Sequence, residues 1–244
     1  MKTVILLFCL VTGLVTTSLS QTDYEGWRTL YIESGKNREA LEKGMAAHNK
    51  KYHASGPYEA YVWEIIIGKH EGQYLLAMGP CTFTDLDTKP FGKEHDEDWQ
   101  KNVMNYVEKE SSYKFWKVND KVSYQPENGL SGKVIWTSYD IKPFEGYRFK
   151  AMLEKVAEVY RTKKYNHSFM VYETQFDIGD GEDIVLEWQF DKWAWLDREE
   201  KFMKDYEEVH GEGTWRYFME EYKDVVEDSY DEVAIFRKDL GGAE

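Results

Sequence analysis

The chain has 244 residues, with 31 basic against 45 acidic side chains and a formal net charge of −14. So acidic a surface repels nucleic acid and anionic lipid, which excludes both as expected partners, and it favours solubility. Aromatic residues make up 16% of the chain, so many of them must be buried or line a groove.

The chain opens "MKTVILLFCLVTGLVTTSLSQ". Lys2, the apolar run Val4 to Val15 and the small residues Ser18-Leu19-Ser20 have the form of a secretory signal, with cleavage expected after Ser20. The run is short for a membrane span, and no later segment is long and apolar enough to make one. A secreted or periplasmic protein of 224 residues, Gln21 to Glu244, is therefore expected. Cleavage removes one lysine and no acid, taking the net charge to −15. Cys9 leaves with the signal and Cys81 stays alone, so no intramolecular disulfide can form and stability must come from a core. Cys81 reads as a small buried residue, with a reactive thiol as the alternative.

After the signal, "WRTLYIE" is a β-rich run bounded by Ser34-Gly35. "NREALEKGMAAHNKKY" places Leu41, Met45, His48 and Tyr52 at helical spacing behind a candidate N-cap, Asn37. "YEAYVWEIII" and "QYLLAM" read as two strands around a turn at Gly68 to Gly72. "DEDWQKNVMNYVEKESSYKFW" then predicts a second helix, and "KVSYQ" a closing strand. Beyond Pro126, the stretch 127–132 reads as a linker. The order then repeats: "KVIWTSYDI", a helix containing "FKAMLEKVAEVYR", "SFMVYETQFDI", a hairpin turn at Asp180-Gly181 and "DIVLEWQF". A helix from about residue 199, broken near Gly211-Glu212-Gly213, leads to a last strand, "EVAIFRK".

The sequence also echoes itself. "LEK" at Leu41 recurs at Leu153, "KKY" at Lys50 recurs at Lys163, "VWE" at Val62 is answered by "VYE" at Val171, and "NYVE" at Asn105 by "DYEE" at Asp205. The expected fold class is therefore α+β: two tandem ferredoxin-like (βαββαβ) units, 21–126 and 133–244, whose antiparallel sheets pack as a pseudo-dimeric α/β barrel. This element order and duplication resemble the dimeric α/β-barrel superfamily, which includes antibiotic-biosynthesis-monooxygenase-like and chlorite-dismutase-like proteins. The resemblance implies a ligand cavity within the barrel or between sheet and helices; it implies no particular reaction.

Glu64 and Glu173 sit mid-strand in matching frames, "YVWEIII" and "MVYETQF". In "FMVYETQFDI" one face is apolar (Met170, Tyr172, Thr174, Phe176, Ile178) and the other carries Glu173 and Gln175. In "DIVLEWQF" the mixed face holds Val185, Glu187 and Gln189. If the apolar faces pack on helices and the mixed faces look inward, then Glu64, Glu173, Gln175, Glu187 and Gln189 surround one cavity. The competing reading is a solvated sheet face, or ion pairs with Arg28 or Arg237.

The six histidines show no pair at i,i+4 and no cysteine partner, so no metal site is expected. His48 lies on an apolar helical stripe and its counterpart in the second unit is Tyr160, which reads as packing. Under the fold resemblance His167 is the candidate axial ligand for a haem, but no cofactor is expected from the residues themselves. "DIGDGED" lacks the frame of a calcium loop and reads as a hairpin turn. Trp193 and Trp195 could meet a flat ligand or serve as core packing. Asn166-His167-Ser168 fits a glycosylation sequon. Nucleophile elbows, phosphate loops and dinucleotide fingerprints are absent. The function expected is binding of a small apolar or aromatic molecule in a barrel cavity. The alternatives are a cofactor-independent oxygenase or isomerase using a glutamate as base, and a non-catalytic interaction protein.

Overall fold

The computed structural model describes residues 26–88, 91–124, 131–198 and 201–242. The expected signal, 1–20, and positions 127–130 of the expected linker lie outside them. In chain order the elements are β1 (Gly26–Ser34), α1 (Arg38–Tyr52), β2 (Ala60–Ile67), β3 (Tyr74–Cys81), α2 (Phe83–Asp87), α3 (Lys93–Asn102), β4 (Val107–Glu110) and β5 (Lys114–Val118). There follow β6 (Lys133–Ile141), α4 (Gly146–Lys163), β7 (Phe169–Thr174), β8 (Ile184–Phe190), α5 (Phe202–His210), α6 (Thr214–Val225) and β9 (Val226–Phe236).

Eight strands close into one antiparallel barrel, in the order β3-β2-β9-β6-β8-β7-β5-β1 and back to β3. Within residues 26–118 the order is β2-β3-β1-β5, and within 133–236 it is β7-β8-β6-β9. Two seams join these sets: β2 on β9, with Glu64 opposite Ile235, and β5 on β7, with Lys117 opposite Glu173. β4 lies beside β1 beyond β5, so β4 and β5 together make one interrupted strand along β1.

Local chemistry accounts for most elements. The Asn37 side chain caps α1 by accepting from the Ala40 amide at 3.1 Å, a contact worth about 1 kcal/mol. Gly179 and Gly181, both at positive φ, turn β7 into β8. The expected long helix over 96–116 ends instead at Asn102, and its remainder supplies β4 and β5. Pairing of Phe115 and Trp116 with Arg28 and Trp27 overrides a helical pattern whose Val103 and Val107 are weak helix formers. The strand expected at "KVSYQ" reduces to a single bridge, Tyr124 to Phe169. At the other end β9 starts directly at Val226, six residues before the expected run.

Strand alternation creates three apolar clusters. Leu30, Ile32, Val62 and Leu76 point outward and bury Leu41 and Met45 of α1. Phe169, Val171, Ile184 and Leu186 bury Phe149, Met152 and Leu153 of α4. Trp63, Ile65, Leu75, Val134, Trp136 and Ala234 fill part of the barrel interior. Each fully buried side chain of this size contributes about 1.5–3 kcal/mol. The C-terminal tail belongs to the first of these clusters. Leu240 is buried there and its carbonyl accepts from Asn49 Nδ2 at 2.8 Å.

α1 approaches α3 closely at Gly44, where a Cβ would lie 1.7 Å from the Asn102 carbonyl oxygen. Alanine is the better helix former, yet Gly44→Ala is expected to destabilise by about 1–3 kcal/mol or more because the helices must separate. Gly146→Ala, at a helical glycine with open space around it, should be neutral or stabilising. Urea unfolding of the two variants checks the contrast.

Candidate functional site

The barrel encloses a cavity of about 450 Å³. Its walls come from both halves of the chain: Trp27, Tyr61, Trp63 and Trp116 from the first, Trp136 and Tyr172 from the second. Trp63 and Trp136 meet edge to face at 5.6 Å across the interior. Trp27 and Tyr61 do the same at 5.4 Å. Aromatic pairs in this geometry are favourable beyond their area, so the walls are preorganised. Trp116 Nε1 donates to Thr29 Oγ1 at 2.9 Å, which fixes that ring.

Glu187 is the acidic group set among these rings. It is buried, and its carboxylate accepts from Trp136 Nε1 at 2.7 Å, Gln189 Nε2 at 2.8 Å and Tyr172 Oη at 3.5 Å. Burial pushes its carboxyl above the usual carboxylate range, while the three hydrogen bonds pull the other way. Burial and the neighbouring Glu187 also raise the Tyr172 phenol well above its ordinary value.

A second interior group is more polar. Lys114 is 5% exposed and reaches Glu182 and Asp180, each at 2.7 Å. Tyr230 donates to Glu182 as well. Nearby, Glu232 is 1% exposed and accepts from Tyr31 Oη at 3.0 Å and from the backbone and Nδ1 of His70 at 2.8 and 2.9 Å. Burial, then Glu182 and Glu232, hold the Tyr31 hydroxyl well above its ordinary pKa and so protonated. Tyr31 and Glu182 line the cavity, so this network bounds it on one side.

Of the residues expected around one cavity, Glu187 and Gln189 are there, and Glu64, Glu173 and Gln175 are not. β7 presents the opposite face from the one expected. Met170 and Tyr172 look into the barrel, while Phe169 and Val171 pack on the helices and Glu173 points outward with them. Outward-facing Glu64 bridges Arg38 of α1 (2.5 Å) and Arg237 (2.8 Å). Outward-facing Glu173 bridges Lys150 of α4 (2.6 Å) and Asn119 (2.5 Å). These glutamates tie strand to helix, as the ion-pair reading with Arg237 anticipated for Glu64. Gln175 lies past the end of β7, with its amide donating to the Phe115 carbonyl. Sequence reasoning missed Glu182, Glu232, Lys114, Tyr31 and the cavity tryptophans. A lysine and two glutamates in or beside β-rich runs were the available signal.

Other expectations resolve locally. Cys81 is buried and burial raises its thiol pKa, as suits a packed rather than reactive residue. Trp195 stacks on Phe190 and carries Arg198 over its face, while Trp193 is 45% exposed. The "DIGDGED" stretch is a hairpin turn in which Asp177 accepts from the Gly179 amide. The histidines are less scattered than expected: His48, His53 and His95 converge in the helical layer of the first half.

No family model matches the chain, and no curated protein matches it. Solved structures do. A "putative monooxygenase" from Fusobacterium nucleatum is 12% identical with a TM-score of 0.57, over 89% of this chain and 94% of that one. Chlorite dismutase from Candidatus Nitrospira defluvii is 8% identical with a TM-score of 0.53, over 90% and 95%. A heme-binding protein from Thermus thermophilus is 12% identical with a TM-score of 0.50, over 88% and 92%. These likenesses bear out the resemblance at the level of fold, an α+β protein built on a closed antiparallel barrel.

The raised pKa of Glu187 has a defined sign. A group whose folded pKa exceeds its unfolded value of about 4.3 contributes fully below that value and loses the contribution as pH rises through the folded pKa. Glu187→Gln escapes that loss. The stability of the variant relative to wild type should therefore be higher at about pH 7 than at about pH 4, measured by urea unfolding at both. A difference independent of pH would show that Glu187 titrates normally.

Proposed function

We propose that this chain binds a small apolar or aromatic molecule inside the barrel. The observation that supports the reading is the 450 Å³ cavity, which is walled by tryptophan and tyrosine and offers Glu187 as a polar handle. That volume and that balance of apolar wall to few polar groups suit a small-molecule site. The proton-transfer alternative falls to Glu187, because Glu64 and Glu173 lie outside the barrel. We further read the chain as two tandem ferredoxin-like units. The repeated strand order supports this, as does the recurrence of the Glu64–Arg38–Arg237 bridge as Glu173–Lys150–Asn119.

A second reading rests on another cavity, of about 640 Å³, between the sheet and α4, α5 and α6. His167, Tyr165 and Trp195 line it together with Arg198 and Lys201. An imidazole and two cations lining one cavity could meet the iron and the carboxylates of a haem, whereas among the described residues no histidine or cysteine lines the barrel cavity.

Ala77 is buried on β3 and faces the barrel cavity, so Ala77→Phe fills it. Binding of 2-naphthol should quench the cavity tryptophans in wild type and weaken at least tenfold in Ala77→Phe, about 1.4 kcal/mol. Equal quenching in both proteins would refute the barrel site. Hemin in the same titration separates the readings: a shifted Soret band that is lost in His167→Ala and kept in Ala77→Phe favours the helix-side cavity.

We also read residues 1–20 as a secretory signal, on the composition of that segment. N-terminal sequencing of the exported protein should begin at Gln21. Retention of residues 1–20 in a membrane fraction would refute export by cleavage.

A further inference from the structure

His48 sits on the buried face of α1 with its side chain 0% exposed, His53 is the residue that ends α1, and His95 is on α3. One ring nitrogen from each lies within 4.8 Å of the other two. The outer nitrogens are all engaged. His48 Nδ1 meets Asp98 Oδ2 at 2.7 Å, His53 Nδ1 meets the Tyr58 carbonyl at 2.9 Å, and His95 Nδ1 meets Asp96 Oδ1 at 2.9 Å. Each partner is an acceptor, so each Nδ1 carries a proton and each Nε2 is the nitrogen left to meet a ligand.

Three ring nitrogens gathered this closely need a proton or a metal ion between them. His53 Nε2 and His95 Nε2 are 3.2 Å apart, a contact that needs either a proton or a metal ion between the two nitrogens. His48 Nε2 is buried and has no hydrogen-bond partner among the described residues. Zinc binds imidazole at about 2.0–2.1 Å in a tetrahedron, which places the ligand nitrogens about 3.3 Å apart. The 3.2 Å pair already has that spacing. A carboxylate or carbonyl behind each ring is also the outer arrangement that orients metal-bound histidines. Phe91 stacks on His95 at 4.5 Å, and Tyr52 and Trp99 lie against His48 at 4.9 and 5.0 Å, so the rings are held by aromatic walls.

We propose that His48, His53 and His95 form a three-histidine site for a divalent transition metal, zinc foremost, with a fourth position left for water or another ligand. Imidazole ligands suit zinc, copper and nickel and disfavour magnesium and calcium. Among the described residues no further histidine, cysteine or carboxylate joins the group. None of the three histidines lines either cavity, so the site is independent of the binding reading above.

The test uses the whole exported chain stripped with EDTA and titrated with Zn²⁺ by calorimetry and with Co²⁺ by visible absorption. Wild type should take up one Zn²⁺ per chain, gain thermal stability from it, and give the intense visible bands of four-coordinate Co²⁺. His95→Gln should weaken Zn²⁺ binding at least 100-fold, and His210→Gln, outside the cluster and both cavities, should leave it unchanged. Asp98→Asn, which keeps all three ligands and weakens the support of His48, should weaken binding about 10–100-fold. It provides the decisive reading if His95→Gln fails to fold by circular dichroism. Absence of stoichiometric binding by wild type would overturn the proposal. So would several weak equivalents that persist in His95→Gln and Asp98→Asn, the mark of metal on an acidic surface.

Discussion

Closure of the barrel is the constraint on which the rest of the molecule depends. Each of its eight strands hydrogen-bonds to a neighbour on both sides, so the barrel itself presents no open edge. The two seams, β2 on β9 and β5 on β7, join the first half of the chain to the second. Neither half can complete its sheet alone, and the tail after β9 deepens the dependence. Arg237 reaches back to Glu42 and Glu64, and Leu240 enters the core beneath α1. With a single buried cysteine in the described residues, cohesion comes from these pairings and from three apolar clusters rather than from covalent links.

Closure also divides every strand into an inner and an outer face, and the charged residues follow that division. Outside, Glu64 and Glu173 lie under α1 and α4, partly solvated, each with a cation and a second donor. Hydrogen bonds from Arg237 and Tyr74 hold the neighbouring Glu42 down to about 2, so Glu42 is ionised at any ordinary pH. Inside, water is scarce and each acid needs donors from the protein itself. Glu182 has Lys114 and Tyr230, Glu232 has Tyr31 and His70, and Glu187 has hydrogen bonds but no cation. Burial without a cation beside it raises the pKa of Glu187, and its place among the cavity rings makes it the interior acid best placed to respond to a ligand.

The cavity and the histidine cluster occupy different layers. The cavity lies where the inner faces of both halves meet, and it is shaped by large rings that touch edge to face and leave space between them. The histidines lie between α1 and α3, where Gly44 lets the helices approach. The two places are built by different contacts, so a change in one need not disturb the other.

The sequence by itself determined the elements whose signals are local: the period of α1 and its Asn37 cap, the β2–β3 hairpin, the turn between β7 and β8, and the broken helix that became α5 and α6. It also determined the order of these elements, and with it the barrel. Which face of β7 looks inward was decided only in three dimensions. Both faces of a strand between a barrel interior and a helix layer are apolar, so Met170–Tyr172 and Phe169–Val171 are equally good inner faces until the pairing of β7 with β5 sets them. The same limit hid β4 and β5, whose residues read as helix until β1 offered them a partner. It hid the histidines too, since His53 turns back only because α1 ends there, and His95 arrives from more than 40 positions away by helix packing.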